Sequence, residues 1–227
     1  MLDIVKAAQQ IEEAGAGDRV VVWGLSQGGH AALFAGELAP TWAPALEVLG
    51  VVSVAPASEL KTVVMTGPLF PRLRFFFWFL GLGLEAAYSE LSMDDVFDAA
   101  TINTVDALNE EEACYEEMEA AGIELEGPIF AMDPLESSAW SDRLLESSPG
   151  YVRTEAPILM VQSEDDPSTP VLLTNVLVDH LCAVGSQTDY RLFEGLGHDE
   201  TSRANVPLML EWTADRFAGT DATSTCH

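Results

Sequence analysis

The feature that most constrains the fold is a glycine-rich turn between a buried strand and a helix. Residues 19–23 (RVVVW) form a continuous apolar run, which is typical of a strand covered on both faces in a parallel sheet. The turn GLSQGG (24–29) follows at once, and a helical pattern begins within it. A serine on such a turn takes a strained backbone conformation and needs small neighbours, which Gly24 and Gly28 provide. The pattern predicts that Ser26 projects its hydroxyl from the carboxyl edge of a sheet.

Strand and helix patterns then alternate along the chain. Runs typical of strands lie at 49–54, 157–162 and 189–193, and helical patterns lie at 170–183 and 206–217. Short connections between such elements predict an α/β fold with parallel strands. The N-terminal residues predict one more helix, with Ile4 and Ile11 on its buried face.

The alternation stops between residues 61 and 150. That stretch contains aromatic runs, a segment with eight glutamates (110–126) and no clear buried strand. We therefore expect a core domain formed by residues 1–60 and 151–227, interrupted by a helical cap or lid over 61–150. The glutamates are typical of a solvated helix face. The most apolar run, 75–84, is half as long as the roughly 20 residues that a membrane-spanning helix needs.

Composition excludes several functions. Asp and Glu number 37 against 10 Lys and Arg, which gives a net charge of −27. A chain this acidic offers neither the basic surface that nucleic acids require nor attraction to anionic membranes. The three cysteines form no CxxC pair, so no zinc site is indicated, and nothing predicts a cofactor. Residues 1–15 lack the apolar region of a signal peptide.

A nucleophilic serine needs a base, and the base needs a carboxylate to orient it. Acidic side chains follow the predicted strand 157–162 at Glu164, Asp165 and Asp166. We favour Asp166 because prolines at 167 and 170 would fix its turn, with Asp165 as the alternative. The order serine, acid, histidine then has a geometric cause, since loops at the carboxyl ends of parallel strands meet at one edge of the sheet.

Of the four histidines, His198 suits the base best. It lies in a glycine-flanked loop after the strand 189–193. His30 lies one turn beyond Ser26 on the same helix, which favours a packing role. His180 lies inside a predicted helix, and His227 is the last residue.

Four segments carry a resemblance to a known family: GLSQGGHAALFAGELAP (24–40), GVVSVAPASEL (50–60), PILMVQSEDDPSTP (157–170) and YRLFEGLGHDE (190–200). They resemble the α/β-hydrolases and, more narrowly, the secretory lipase family of microbial triacylglycerol lipases. The resemblance implies Ser26 as nucleophile, Asp166 as acid and His198 as base. It also implies that the backbone N–H of Gln27 is one oxyanion donor.

The resemblance covers only the later part of that fold. The complete fold has several strands before the nucleophile, and a loop among them gives the second oxyanion donor. We therefore expect this chain to represent the C-terminal portion, with the N-terminal strands missing.

The resemblance also bears on the insertion, the cysteines and the location of the protein. Family members have a helical cap in this position, so Phe75 and Trp78 become candidates for substrate binding, with burial in the cap core as the alternative. An extracellular setting is implied for the full-length form. In that setting we expect a disulfide between Cys182 and Cys226, with Cys114 free.

The leading functional hypothesis is a serine hydrolase that cleaves carboxylic esters of small molecules or lipids, most specifically a triacylglycerol lipase or esterase in lipid degradation. A peptidase or thioesterase on the same scaffold is the second hypothesis, because fold and triad do not select the leaving group. The third is an inactive remnant that acts as a binding module.

Overall fold

The computed structural model describes residues 1–67 and 73–226 of the 227-residue chain. These residues divide into two compact units. The core unit contains residues 1–59 and 148–226, and the helical unit contains residues 60–67 and 73–147.

The core unit is built on a parallel four-stranded sheet with the strand order β1-β2-β3-β4. Its strands are β1 (Arg19–Leu25), β2 (Glu47–Val54), β3 (Ile158–Ser163) and β4 (Thr188–Phe193). Each lies where the sequence predicts a strand. Because all four strands run in the same direction, the segments that follow them emerge at one edge of the sheet.

Helices cover both faces of this sheet. They are α1 (Leu2–Ala8), α2 (Gln27–Trp42), α8 (Val171–Ala183), α9 (His198–Ala204) and α10 (Val206–Ala218). Alternate residues of β2 point to opposite faces, as a strand requires. Val51 packs with Leu33 of α2 and Leu177 of α8, whereas Val52 packs with Met209 and Trp212 of α10. All of β3 is buried, which explains the apolar run over its first four residues.

The helical unit contains α3 (Leu60–Thr66), α4 (Arg74–Ala87), α5 (Ala99–Glu110), α6 (Tyr115–Glu124) and α7 (Ser138–Glu146). One apolar cluster contains Phe77, Phe97 and Trp140, and a second contains Phe75 and Trp78. Three residues of the aromatic run 75–79 therefore lie in the interior of this unit, whereas Phe76 and Phe79 are exposed.

The N-terminal helix differs from its prediction. It ends at Ala8, and Ile4 and Ile11 are 70% and 56% exposed, whereas Leu2 is buried. The expectation that Ile4 and Ile11 share a buried face was wrong. Helical spacing identifies which apolar residues lie on one side of a helix, but tertiary contacts determine which side is covered.

The C-terminal segment lies along β4. The Thr225 N–H donates to the Thr188 carbonyl at 2.8 Å, and the Tyr190 N–H donates to the Thr225 hydroxyl at 3.1 Å. A disulfide between Cys182 at the end of α8 and Cys226 pins this segment. The free groups of an edge strand are thereby partly occupied.

In the described parts of the chain, no helix has the length and apolar character needed to cross a membrane.

Candidate active site

Ser26 occupies a strained turn between β1 and α2. Its backbone lies at φ 59° and ψ −120°, a region that costs a residue with a side chain about 1–3 kcal/mol. Two backbone hydrogen bonds hold it there. The Ser26 N–H donates to the Val54 carbonyl at 2.8 Å, and the Ser26 carbonyl accepts from the His30 N–H at 3.0 Å. The end of β2 and the first turn of α2 therefore fix the serine from both sides.

Close backbone approach makes two glycines of this turn necessary. A Cβ on Gly24 would lie 1.9 Å from the Gly28 carbonyl oxygen, and a Cβ on Gly29 would lie 2.9 Å from the Val54 carbonyl oxygen. A Cβ on Gly28 would meet nothing within 4 Å. The prediction that Gly28 must be small is therefore corrected, because the crowding comes from its carbonyl group and not from its Cα.

His198 and Asp166 form a hydrogen-bonded pair. His198 begins α9 after β4, and Asp166 lies in the loop after β3. The His198 Nδ1 lies 2.7 Å from Asp166 Oδ2, with the carboxylate inaccessible to solvent and the imidazole side chain 18% exposed. An ionised carboxylate only accepts hydrogen bonds, so Nδ1 carries a proton, and in the neutral ring Nε2 has a free lone pair. This tautomer leaves Nε2 able to accept a proton from a nucleophile.

The Asp166 carboxylate is fixed by its own loop. Its Oδ1 accepts the backbone N–H groups of Ser168 at 2.8 Å and Thr169 at 3.0 Å, and its Oδ2 accepts the Thr169 hydroxyl at 2.9 Å. Burial opposes ionisation, but the hydrogen bonds from His198, Thr169 and Ser168 outweigh it and hold the pKa of Asp166 below its usual value. Asp166 is therefore an anion at neutral pH.

The structure distinguishes the three acids that compete in the sequence. Only Asp166 among them directs its carboxylate to His198 in the described parts of the chain. Asp165 is exposed, and its Oδ2 accepts the Gly195 N–H at 2.6 Å. Glu164 is exposed as well.

Ser26 and Gln27 are the remaining residues that the sequence predicts for the catalytic step. Within residues 1–67 and 73–226, no hydrogen bond joins the Ser26 hydroxyl to the His198 ring, which contacts Asp166 and Thr169. Gln27 is the first residue of α2, so its N–H is one of those that an α-helix leaves without an intrahelical acceptor. The structure thus pairs Asp166 with His198 and places Ser26 at the same edge of the sheet.

The other histidines have separate partners. His30 Nδ1 lies 2.9 Å from the Ala57 carbonyl, and burial lowers the pKa of His30, so its neutral ring donates to that carbonyl. His180 Nδ1 lies 3.0 Å from the Glu59 carboxylate. His227 lies outside the described residues.

Phe75 and Trp78 are 1% and 0% exposed and lie in an apolar cluster of the helical unit. The structure therefore corrects their candidacy for substrate contact, because both rings are enclosed by their own unit. Cys182 and Cys226 are joined, and Cys114 is free and exposed.

Sequence reasoning missed Thr169, which donates both its N–H and its hydroxyl to Asp166. The signal was present, because an aspartate followed by Pro, Ser and Thr favours a turn in which its carboxylate accepts nearby N–H groups. It also missed the contact of Asp165 with Gly195, for which the sequence holds no signal. The described residues contain no cluster of His, Cys, Asp and Glu suited to a metal ion.

Comparison with solved structures identifies the fold. Candida antarctica lipase A in its closed state has a TM-score of 0.79 at 17% identity, covering 99% of this chain and 55% of the lipase. A rice cell wall degrading esterase from Xanthomonas oryzae has a TM-score of 0.66 at 14% identity, covering 94% of this chain and 60% of the esterase. The chain has the α/β-hydrolase fold, as its motifs predict.

Sequence comparisons agree with the resemblance to a lipase family. Residues 1–67 match the secretory lipase family. A Mycobacterium tuberculosis protein named as a probable inactive lipase is 26% identical over 98% of this chain and 51% of its own length. The chain spans about half the length of this curated relative. The predicted resemblance to the secretory lipases is confirmed.

Proposed function

We propose that the full protein is a serine hydrolase that cleaves carboxylic esters, with Ser26, His198 and Asp166 as its catalytic triad. The observation that supports this most directly is the His198–Asp166 pair, which follows β3 and β4 at the sheet edge where β1 delivers the strained Ser26. Strain of this kind is common at catalytic positions.

In the proposed mechanism His198 Nε2 takes the proton of the Ser26 hydroxyl as its oxygen attacks the ester carbonyl. Asp166 holds the Nδ1–H and stabilises the imidazolium that forms. The Gln27 N–H donates to the developing oxyanion at the start of α2, where the helix dipole favours negative charge.

Loss of the alcohol completes the acylation step. The imidazolium gives its proton to the leaving alkoxide, and the acyl group remains on Ser26. His198 then takes a proton from water as the water oxygen attacks the acyl-enzyme. The bond between the acyl carbon and the Ser26 oxygen breaks, the Ser26 oxygen takes the proton back from His198, and the carboxylic acid is released. No metal or organic cofactor takes part in this proposal.

Acylglycerols are the proposed substrates, and secretion is the proposed location of the full protein. The match to secretory lipases and the fold shared with Candida antarctica lipase A support the substrate class. The Cys182–Cys226 disulfide is consistent with an oxidising compartment.

A second candidate function is a non-catalytic binding module. The name of the Mycobacterium tuberculosis relative, a probable inactive lipase, favours it. The two functions differ in a measurable way, because a binding module has no need of an activated serine.

A fluorophosphonate probe tests this difference, since it reacts only with activated serines. We expect it to label the protein at Ser26, with labelling abolished in Ser26→Ala and strongly reduced in His198→Ala. Ser202→Ala, which removes a hydroxyl from α9, is the matched control and should label normally. Absence of labelling in the wild type would favour the binding module. Hydrolysis of matched ester and amide substrates then separates an esterase from a peptidase.

A further inference from the structure

Three successive N–H groups in the loop before His198 are each held by a side chain. The Gly195 N–H donates to Asp165 Oδ2 at 2.6 Å, and the Leu196 N–H donates to the Ser163 hydroxyl at 3.3 Å. The Gly197 N–H donates to Glu200 Oε2 at 3.0 Å, at the start of α9. The first two acceptors belong to the end of β3 and the loop after it.

The bond to Asp165 is the shortest of the three and joins a charged acceptor to a backbone donor, which makes such bonds stronger than neutral ones. Gly195 has φ +74°, a conformation that glycine adopts easily and can also leave easily. A loop with glycines at 195 and 197 needs an external contact to keep one conformation. Asp165 supplies that contact three residues before His198.

The position of the loop matters because the His198 ring has to satisfy two conditions. Its Nδ1 lies 2.7 Å from Asp166, and its Nε2 has to face the nucleophile. Asp166 fixes one point of the ring, but a single hydrogen bond leaves rotation about that bond free. The backbone that carries the ring therefore has to be fixed as well.

We propose that Asp165 is a positioning residue for His198. The two adjacent aspartates divide the task, since Asp166 orients the imidazole and Asp165 fixes the backbone from which the imidazole extends. The proposal rests on the proposed function only in treating His198 as the base. Asp165 does not touch the reacting atoms, and its effect passes through the loop.

Substitutions at Asp165 test this role. Asp165→Ala removes the acceptor, whereas Asp165→Asn keeps an oxygen that can accept the Gly195 N–H. Glu164→Ala is the matched control, because it removes a neighbouring exposed carboxylate of the same charge. Asp165 is itself exposed, so all three variants should fold, which an unchanged urea midpoint would verify.

Two measurements on the full chain are required. The first is the NMR signal of the His198 Nδ1–H in ¹⁵N-histidine-labelled protein, assigned by its loss in His198→Ala. The second is the rate of fluorophosphonate labelling at Ser26. We expect Asp165→Ala to broaden the Nδ1–H signal and to slow labelling about tenfold, since small displacements of catalytic groups cost this much or more. Asp165→Asn and Glu164→Ala should stay within about twofold of wild type.

The outcomes separate this proposal from the proposed function. If Asp165→Ala keeps a sharp signal, or if Asp165→Asn loses as much as Asp165→Ala, the positioning role is refuted even when the wild type is labelled. If the wild type is not labelled but its Nδ1–H signal depends on Asp165, the positioning role stands and the hydrolase function fails.

Discussion

Replacing Gly24 and Gly28 with alanine should have opposite results, although both glycines belong to the same G-x-S-x-G motif. A Cβ on Gly24 would lie 1.9 Å from the Gly28 carbonyl oxygen and 2.0 Å from its carbon. Real Cβ atoms essentially never approach within 3.0 Å, so the start of α2 would have to move by about 1 Å. The obstacle is backbone, which cannot turn aside as a side chain can.

The expected loss for Gly24→Ala follows from that displacement. Overpacking in a protein core costs about 1–3 kcal/mol, and more where the structure cannot adapt. We expect the free energy of unfolding of the core unit to fall by about 3 kcal/mol or more. Ser26 should also lose its reactivity toward a fluorophosphonate, because the turn that holds it would be displaced.

Gly28→Ala is the control. Its Cβ would meet nothing within 4 Å, and alanine is favoured over glycine in a helix by about 0.5–1 kcal/mol. Its free energy of unfolding should therefore equal or slightly exceed that of wild type. Urea unfolding followed by circular dichroism measures both variants. Equal destabilisation by the two substitutions, or a loss below about 1 kcal/mol in Gly24→Ala, would refute the close-approach argument.

Three further results are expected. Ser26→Ala and His198→Ala should each abolish nearly all ester hydrolysis, Asp166→Asn should reduce it about 10⁴-fold, and double variants should add little because the triad acts as a unit. The lowered pKa of Asp166 means that its stabilising effect is complete above its unfolded-state pKa and is lost as pH falls through the folded value. The difference in urea stability between wild type and Asp166→Asn should therefore shrink from pH 6 toward about pH 3. Replacing Cys182 and Cys226 by serine should lower the unfolding free energy by up to about 4 kcal/mol, the chain-entropy value for a separation of 44 residues, as urea unfolding would show.

The central strands β2 and β3 were predictable because a buried parallel strand leaves a clear signature. All six residues of β3 are buried, so its sequence shows no polar alternation and resembles no amphipathic helix of that length. The N-terminal helix lacked such a signature. Ile4 and Ile11 keep helical spacing whether or not another element covers them, so the sequence could not show that both are exposed.

The motif residues also have a clear sequence signature, whereas the aromatic residues of the insertion do not. Phe75 and Trp78 could be read from the sequence either as core or as walls of a binding site, since both environments are apolar. Both side chains are almost completely buried, so the structure favours the core interpretation. A motif residue such as Ser26 is different, because its strand, turn and helix have to occur together for the pattern to form.

The choice between Asp165 and Asp166 shows where sequence reasoning reaches its limit in this site. Both carboxylates follow the same strand and are adjacent in the sequence. The choice is made by the turn that follows, because the N–H groups of Ser168 and Thr169 converge on Asp166 Oδ1 and hold that side chain inward. The Asp165 carboxylate instead accepts the N–H of Gly195, in the loop that precedes His198. A local hydrogen-bonded turn therefore determines which aspartate can orient the imidazole. That turn is held by hydrogen bonds to a carboxylate oxygen, and hydropathy patterns contain no information about such bonds.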